Sequence, residues 1–313
     1  MIEAELERVF AAAGCRGRLV ALDIDGPGRV SVRGGEPAVA ASSFKIAVGL
    51  ELFCQNVAGE LDLRERLRLL PTQRTPGGQG FCLFDDEVEV SLRDTARMML
   101  TISDNTATDV VIRRVGPTRI SARLAGLGLE RTEFSGTVQD FFDGLGRAVG
   151  FADHAGLIRA FGQAGSPEEL ASLEQRFFAA CSPLSASKSN TTTAAEMAQL
   201  VRLIWRDEAG PAEACAALRA MMGQQKLTRK MANGFADEGA EDVRVITKSG
   251  TIGGLISNDV GAVQYPDGGR YAVAVLTEAL VPGREAREID AAIGTTARLA
   301  VEHVRARDFA GRP

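Results

Sequence analysis

Strand-like segments lie near both ends of this chain, and a long helical block separates them. RLVALDID (18–25) and RVSVRGG (29–35) flank a Gly-Pro-Gly turn, the pattern of a β-hairpin. Far downstream come VRVITKSG (243–250), NDVGAVQY (258–265) and RYAVAVLT (270–277), the last two joined by Pro-Asp-Gly-Gly. An isolated hairpin is marginal in water, so the two regions must share one sheet. Helical periodicity fills the interval, over 43–58, 91–102, 106–114, 117–126, 168–180, 193–206 and 211–223, with breaks such as PTQRTPGGQG (71–80). Residues 2–13 place Leu6, Val9, Phe10 and Ala13 on one helical face, and a last helix is expected over about 285–306. The expectation is an α+β fold: an antiparallel sheet flanked by the N- and C-terminal helices, with an all-helical domain inserted. Residues 1–41 and 226–313 would form the sheet domain and 42–225 the helical domain. The region 135–189 carries the weakest pattern; its glycine-rich first part, FSGTVQDFFDGLGRAVGFADHAGLIRAFGQAG, predicts one or two loosely packed helices.

Composition narrows the function. Among 313 residues, 36 are Lys or Arg and 41 Asp or Glu, a net charge of −5 that does not suit a dedicated nucleic-acid binder. No apolar run approaches the length of a membrane span. The acidic start, MIEAELERVFAAAGC, is not a secretory signal, which predicts a cytoplasmic protein, or a secreted one if a signal has been removed. The cysteines (Cys15, Cys54, Cys82, Cys181, Cys215) are five, without paired spacing, as expected of buried thiols in a reducing compartment. The two histidines, His154 and His303, are far apart. They make no zinc cluster and leave little room for a Ser-His-Asp machine.

Lysine is scarce: Lys45, Lys188, Lys226, Lys230 and Lys248 stand against 31 arginines. Unlike arginine, a lysine can be neutralised by burial and act as a base. Ser42-Ser43-Phe44-Lys45 opens the apolar helix IAVGLELF, with Ser42 and Lys45 on one face and Ser42 near the positive helix end. Such a serine can be a nucleophile activated by the amine, or simply an N-cap beside a snorkelling lysine. Ser185-Ala186-Ser187-Lys188 matches the same spacing but opens no apolar helix. Ser103-Asp104-Asn105 stands between two helices, as a cleft lining or as an N-cap. Lys248-Ser249-Gly250-Thr251 ends a strand. Gly250 would allow close approach of a ligand or backbone, and Lys248 could equally be a guard on an edge strand.

In the order S-x-x-K, S-D-N, K-S/T-G, these motifs are those of class A β-lactamases and penicillin-binding proteins. The chain resembles the serine β-lactamase family, closest to class A, over most of its length. SDNTATDVVIRRVG, NTTTAAEMAQLVRLI (190–204) and SNDVGAVQYPDGGRYAVAVLT carry the resemblance further. It implies that Ser42 is acylated, that Lys45 activates it, and that Ser103 passes a proton to the leaving nitrogen with help from Lys248. The charge of Lys248 would keep Lys45 partly neutral. Asn105 would hold a substrate amide, Ser249 and Thr251 a carboxylate, and the amides of Ser42 and Thr251 the oxyanion. The implied partner is a small β-lactam, amide or ester; no metal or organic cofactor, nucleic acid or membrane is implied.

The departures cluster in the family's Ω-shaped loop, here an enlarged region over 129–190. Its water-activating glutamate would be Glu133, in Leu129-Glu130-Arg131-Thr132-Glu133, but Phe134-Ser135-Gly136 follow in place of Leu-Asn. An insertion of about 40 residues separates it from NTTT, and Asn190 stands where the family has an aspartate that would pair with Arg131. Other candidate bases are Glu168, Glu169 and Glu174, which also fit a capped, solvated helix. Phe81 and Phe84 could line the pocket entrance or belong to the core. The family chemistry leaves three readings: β-lactam hydrolysis, an intracellular amide or ester hydrolase or acyltransferase, or a penicillin-binding protein that deacylates slowly.

Overall fold

The computed structural model of the protein describes residues 2–181, 190–227, 229–236, 242–281 and 286–310. Helix α1 (Ile2–Ala12) leads into β1 (Cys15–Asp23), β2 (Arg29–Val32) and the short β3 (Pro37–Val39). A 3₁₀ turn over Ala41–Phe44 opens into α2 (Lys45–Val57). Strands β4 (Arg66–Leu69) and β5 (Val88–Ser91) form a small ribbon before α3 (Leu92–Thr101), α4 (Asn105–Val115) and α5 (Pro117–Gly126). Three further helices follow: α6 (Val138–Val149), α7 (His154–Gln163) and α8 (Pro167–Cys181). Strand β6 (Thr191–Thr193) pairs antiparallel with β3 and leads into α9 (Ala194–Trp205) and α10 (Ala212–Met222). The chain closes with β7 (Arg244–Ile252), β8 (Ile256–Gln264), β9 (Arg270–Ala279) and α11 (Ala286–Ala310).

The main sheet has the order β2-β1-β9-β8-β7, antiparallel throughout. The two distant hairpins do share one sheet: β1 pairs with β9 from Cys15↔Ala279 to Asp23↔Tyr271. Both faces of the sheet are covered, and the side-chain period of two divides the strands between them. Leu19, Ala21, Val273 and Val275 pack under Leu6 and Phe10 of α1 and Ile293, Ala297 and Val301 of α11. Val20, Leu22, Ala274 and Leu276 face the opposite way, into a core with α2 and α9. The helices expected from periodicity are present with ends shifted by a residue or two, except that α11 runs four residues further than expected, to Ala310. The glycine-rich segment 134–165 holds two helices, α6 and α7, and α8 falls on the helix expected over 168–180, whereas the ribbons β3–β6 and β4–β5 were not anticipated.

Candidate active site

Ser42 lies in the 3₁₀ turn ahead of α2, not at the helix cap. Phe44 holds the cap position without a side-chain bond. The preceding Ala41 has φ +43°, a conformation uncommon for a residue with a side chain. Buried Asn258 of β8 braces this turn: its Nδ2 donates to the carbonyls of Val39 (2.9 Å) and Ala40 (3.2 Å), and its Oδ1 accepts from Thr277 N (3.1 Å). Edge strand β7 closes on the other side. A Cβ at Gly250 would lie 2.8 Å from Ser42 N and 3.0 Å from the Ala41 Cβ, so only glycine lets the strand come this near.

Lys45 is fully buried, which rules out a snorkelling side chain. Its Nζ donates to Ser103 O (2.8 Å), Ser103 Oγ (3.1 Å) and Asn105 Oδ1 (3.0 Å). Burial pushes the amine down to about 7, against the opposing charges of Asp104 and Asp109. The cause is thus desolvation; the expected influence of the Lys248 charge runs the other way, because the charge of Lys45 adds to burial in holding Lys248 well below the usual lysine range. Lys248 is also fully buried although its strand is an edge strand, so it does not act as an edge guard. Its Nζ donates to Ser249 O (2.8 Å) and Ser103 Oγ (3.0 Å).

Ser103 therefore accepts from two lysines on one hydroxyl, leaving its own proton free to point into the cleft. It sits at φ +62°, in the left-handed region, which turns both its carbonyl and its hydroxyl toward Lys45. Capping of α4 falls to Asp104, whose Oδ1 accepts from Ala107 N (3.0 Å) while Oδ2 accepts from Phe81 N (2.7 Å). Asn105 Nδ2 donates to Pro76 O (2.8 Å). Phe81 is core, whereas Phe84 is half-exposed.

Two cavities meet at Ser42. A polar one of about 170 Å³ is lined by Gly77, Gln79, Ser103, Asn105, Ser249 and Thr251 beside it. An apolar one of about 190 Å³ is lined by Phe44, Phe141, Phe142, Leu145, Phe177 and others. Ser42, Asn105 and Thr251 border both. A larger cleft of about 640 Å³, with Arg68, Arg74, Arg113 and Arg114, lies elsewhere and does not include Ser42.

The structure thus gathers Ser42, Lys45, Ser103, Asn105, Lys248, Ser249, Gly250 and Thr251, but not Glu133. Glu133 is exposed and borders neither cavity at Ser42. Its backbone exchanges hydrogen bonds with Thr191 (2.9 and 3.2 Å), and the next residue, Phe134, stacks on Phe44 at 5.9 Å between ring centroids. With neighbours on an extended segment pointing opposite ways, an inward Phe134 sends Glu133 outward. Glu168, Glu169 and Glu174 are exposed too; Glu169 Oε2 accepts from Gly165 N, and α8 offers Phe177 to the cavity instead. Asn190 does not pair with Arg131. Its Oδ1 accepts from Ser135 N (2.7 Å) and Ser135 Oγ (3.2 Å). The second S-x-x-K match, Ser185–Lys188, lies outside the described residues.

Sequence reasoning missed two groups that shape the site. Lys230 is buried under β7 and donates to Thr251 Oγ1 (2.8 Å), Gly250 O (3.0 Å) and Asn258 O (3.3 Å). Its membership in the small set of lysines was the available signal. Asp109 of α4 accepts from Thr75 Oγ1 (2.7 Å), Val138 N (2.7 Å) and Gln139 N (3.0 Å), which pins the start of α6 over the cleft. No sequence signal marks that contact.

Comparison with known proteins agrees with this architecture. A structure of a β-lactamase from Sphaerobacter thermophilus superposes with a TM-score of 0.74 at 24% identity, covering 97% of this chain and 98% of that one. PBP-A superposes at 0.74 with 20% identity, over 97% and 96% of the two chains. A variant of an ancestral Gram-negative class A β-lactamase gives 0.75 at 20%, over 97% and 99%. In sequence, the β-lactamase regulatory protein BlaB of Streptomyces cacaoi is 24% identical over 310 residues, 94% of each chain. The family model for the β-lactamase enzyme family matches residues 1–304. With that match running over nearly its whole length, the chain belongs to the β-lactamase enzyme family.

Proposed function

We propose that the protein is a serine hydrolase of small cyclic or strained amides, β-lactams first among them, working through an acyl-enzyme on Ser42. The observation that carries this reading is the meeting of Lys45 and Lys248, both fully buried, on the hydroxyl of Ser103 at the rim of the polar cavity. With its amine held near 7, Lys45 can take up the Ser42 proton at neutral pH. Ser103 accepts from both amines and relays a proton to the leaving nitrogen. The backbone N–H groups of Ser42 and Thr251 form the oxyanion hole, and Ser249 and Thr251 receive the substrate carboxylate.

The test is intact-protein mass spectrometry after mixing with benzylpenicillin, with hydrolysis of a chromogenic cephalosporin followed in parallel. The expected result is an adduct on Ser42 that is absent from Ser42→Ala. A protein that neither forms an adduct nor hydrolyses either compound would overturn the β-lactam reading.

A second reading, of a protein that acylates and then releases slowly, is favoured by one observation: neither cavity at Ser42 has a carboxylate among its described lining residues. A water there has no carboxylate base to activate it. The regulatory role named for the Streptomyces relative is compatible with a long-lived adduct. An adduct that outlasts the mixing experiment without cephalosporin turnover decides for this reading.

A further inference from the structure

We infer that the helices α6 and α8 build a pocket for an apolar acyl group about the size of a phenyl ring, so that the acyl donor is bipartite: an apolar acyl group on one side of Ser42 and a polar or anionic leaving group on the other. The inference rests on the Ser42 acyl-enzyme reading and specifies its substrate. Three residues, Ser42, Asn105 and Thr251, separate the two cavities, so a carbonyl attacked by Ser42 has one substituent directed into each. The apolar side carries Phe44, Phe141, Phe142, Leu145 and Phe177. An apolar cavity of about 150 Å³ holds benzene, so about 190 Å³ takes a phenyl ring or a short branched chain.

The wall is built, not incidental. Asp109 anchors the first turn of α6, Phe141 and Phe142 pack at 5.6 Å, and Phe142 is backed at 4.8 Å by the ring of His154. Phe177 is held by Phe161 at 6.3 Å and Phe178 at 5.7 Å. Leu145, Val149 and Leu157 form a small core of their own with Leu255 and Ile256 beneath. On the polar side, Leu227 apart, the lining is Ser103, Asn105, Ser249, Thr251, Gln79 and glycine backbone, suited to a leaving group that carries charge or hydrogen-bonding atoms. In the reaction the Ser42 Oγ–acyl bond forms and the bond from the acyl carbon to the leaving group breaks. The serine proton passes to Lys45 and, through Ser103, to the departing atom where that atom needs one.

The experiment compares p-nitrophenyl phenylacetate with p-nitrophenyl acetate, reading the rate of Ser42 acylation by mass spectrometry and p-nitrophenolate release. Each rate is divided by that ester's spontaneous hydrolysis in the same buffer. The expected result is a corrected preference of about tenfold to a hundredfold for phenylacetate, the gain from burying one aromatic group. That ratio should fall toward one in Phe177→Asp and in Leu145→Trp, which charge the pocket and fill it from different helices. Two variants guard against a folding defect in either. Acylation of Ser42 with a ratio near one in the parent protein, or a ratio unmoved in both folded variants, overturns the pocket assignment while the Ser42 reading stands. The absence of both a Ser42 adduct and Ser42-dependent p-nitrophenolate release with either ester overturns the pocket assignment, and the Ser42 reading falls with it only if benzylpenicillin also leaves Ser42 unmodified.

Discussion

Gly250 lies so close to Ser42 that a single added methyl carbon would stand 2.8 Å from the serine amide nitrogen. The obstructing atoms are two backbone nitrogens and the Cβ of Ala41, which no side-chain rotation can move, so nothing can swing aside. Gly250→Ala must push β7 away from the Ser42 turn and with it the Thr251 amide. Loss of one oxyanion donor typically costs about 10²–10³ in rate, and that is the expected fall in acylation. Overpacking should cost about 1–3 kcal/mol of stability, leaving a folded protein. Acylation rates and thermal melts of the variant check this; a near-normal rate would mean that the close approach is not needed for chemistry.

The buried amine of Lys45 sets a pH dependence. Acylation should rise about tenfold per pH unit below 7 and level off above it, as the amine loses its proton. Stability follows the same group with a definite sign. The folded value near 7 lies below the ordinary 10.5, so between these pH values the unfolded chain binds more protons and stability rises with pH. Lys45→Met removes that titration. The variant should gain most over the parent below pH 7, and the gap should shrink toward pH 10 in urea titrations. A constant gap would show that Lys45 is not depressed.

Asn258 joins the sheet to the segment entering the nucleophile turn through two buried hydrogen bonds, and a third, from Thr277 N of β9, holds its side chain in place. Asn258→Ala should lower stability by about 2–4 kcal/mol, because the Val39 and Ala40 carbonyls and the Thr277 amide lose their partner inside the protein. Asn258→Asp should be no better, since a carboxylate would face two carbonyl oxygens. Urea midpoints measure both.

Asp109 fastens α6 to α4, so Asp109→Ala should loosen the apolar pocket before it unfolds the molecule. Amide exchange at Val138 and Gln139 should accelerate by at least tenfold, with a global loss of about 1–3 kcal/mol. Unchanged protection at these amides would show that α6 is held by its apolar face alone.

Glu133 faces outward, and its replacement by Gln is expected to leave the lifetime of the Ser42 adduct within about twofold of the parent, the scale of an ordinary surface change. Trapping of the adduct in Glu133→Gln, seen by time-resolved mass spectrometry, would require the Glu133 segment to swing inward during turnover.

Much of the fold was legible because its signals are local. Gly-Pro-Gly and Pro-Asp-Gly-Gly mark hairpins, and the spacing of apolar residues marks α2 to α5 and α9 to α11. The short ribbons β3–β6 and β4–β5 were not legible, since three or four residues carry no periodicity of their own and pair only when distant partners arrive. Two of the three motifs sit at element boundaries, where polar side chains can leave the core pattern; Lys248-Ser249-Gly250, expected at a strand end, lies inside β7, which runs on to Ile252.

The sequence by itself determined which side chains are available: a serine and a lysine three apart, a Ser-Asp-Asn turn, and a lysine–serine–glycine strand end. Only the tertiary structure decided what surrounds them. Burial is a property of the assembled molecule, so the depression of Lys45 and Lys248 and their meeting on Ser103 exist only once α2, α4 and β7 pack together. The side of a short extended segment that faces inward is likewise set by its partners. The Thr191 pairing and the Phe44 stack turn Phe134 in and Glu133 out, and α6 and α8 bring phenylalanines rather than carboxylates to Ser42.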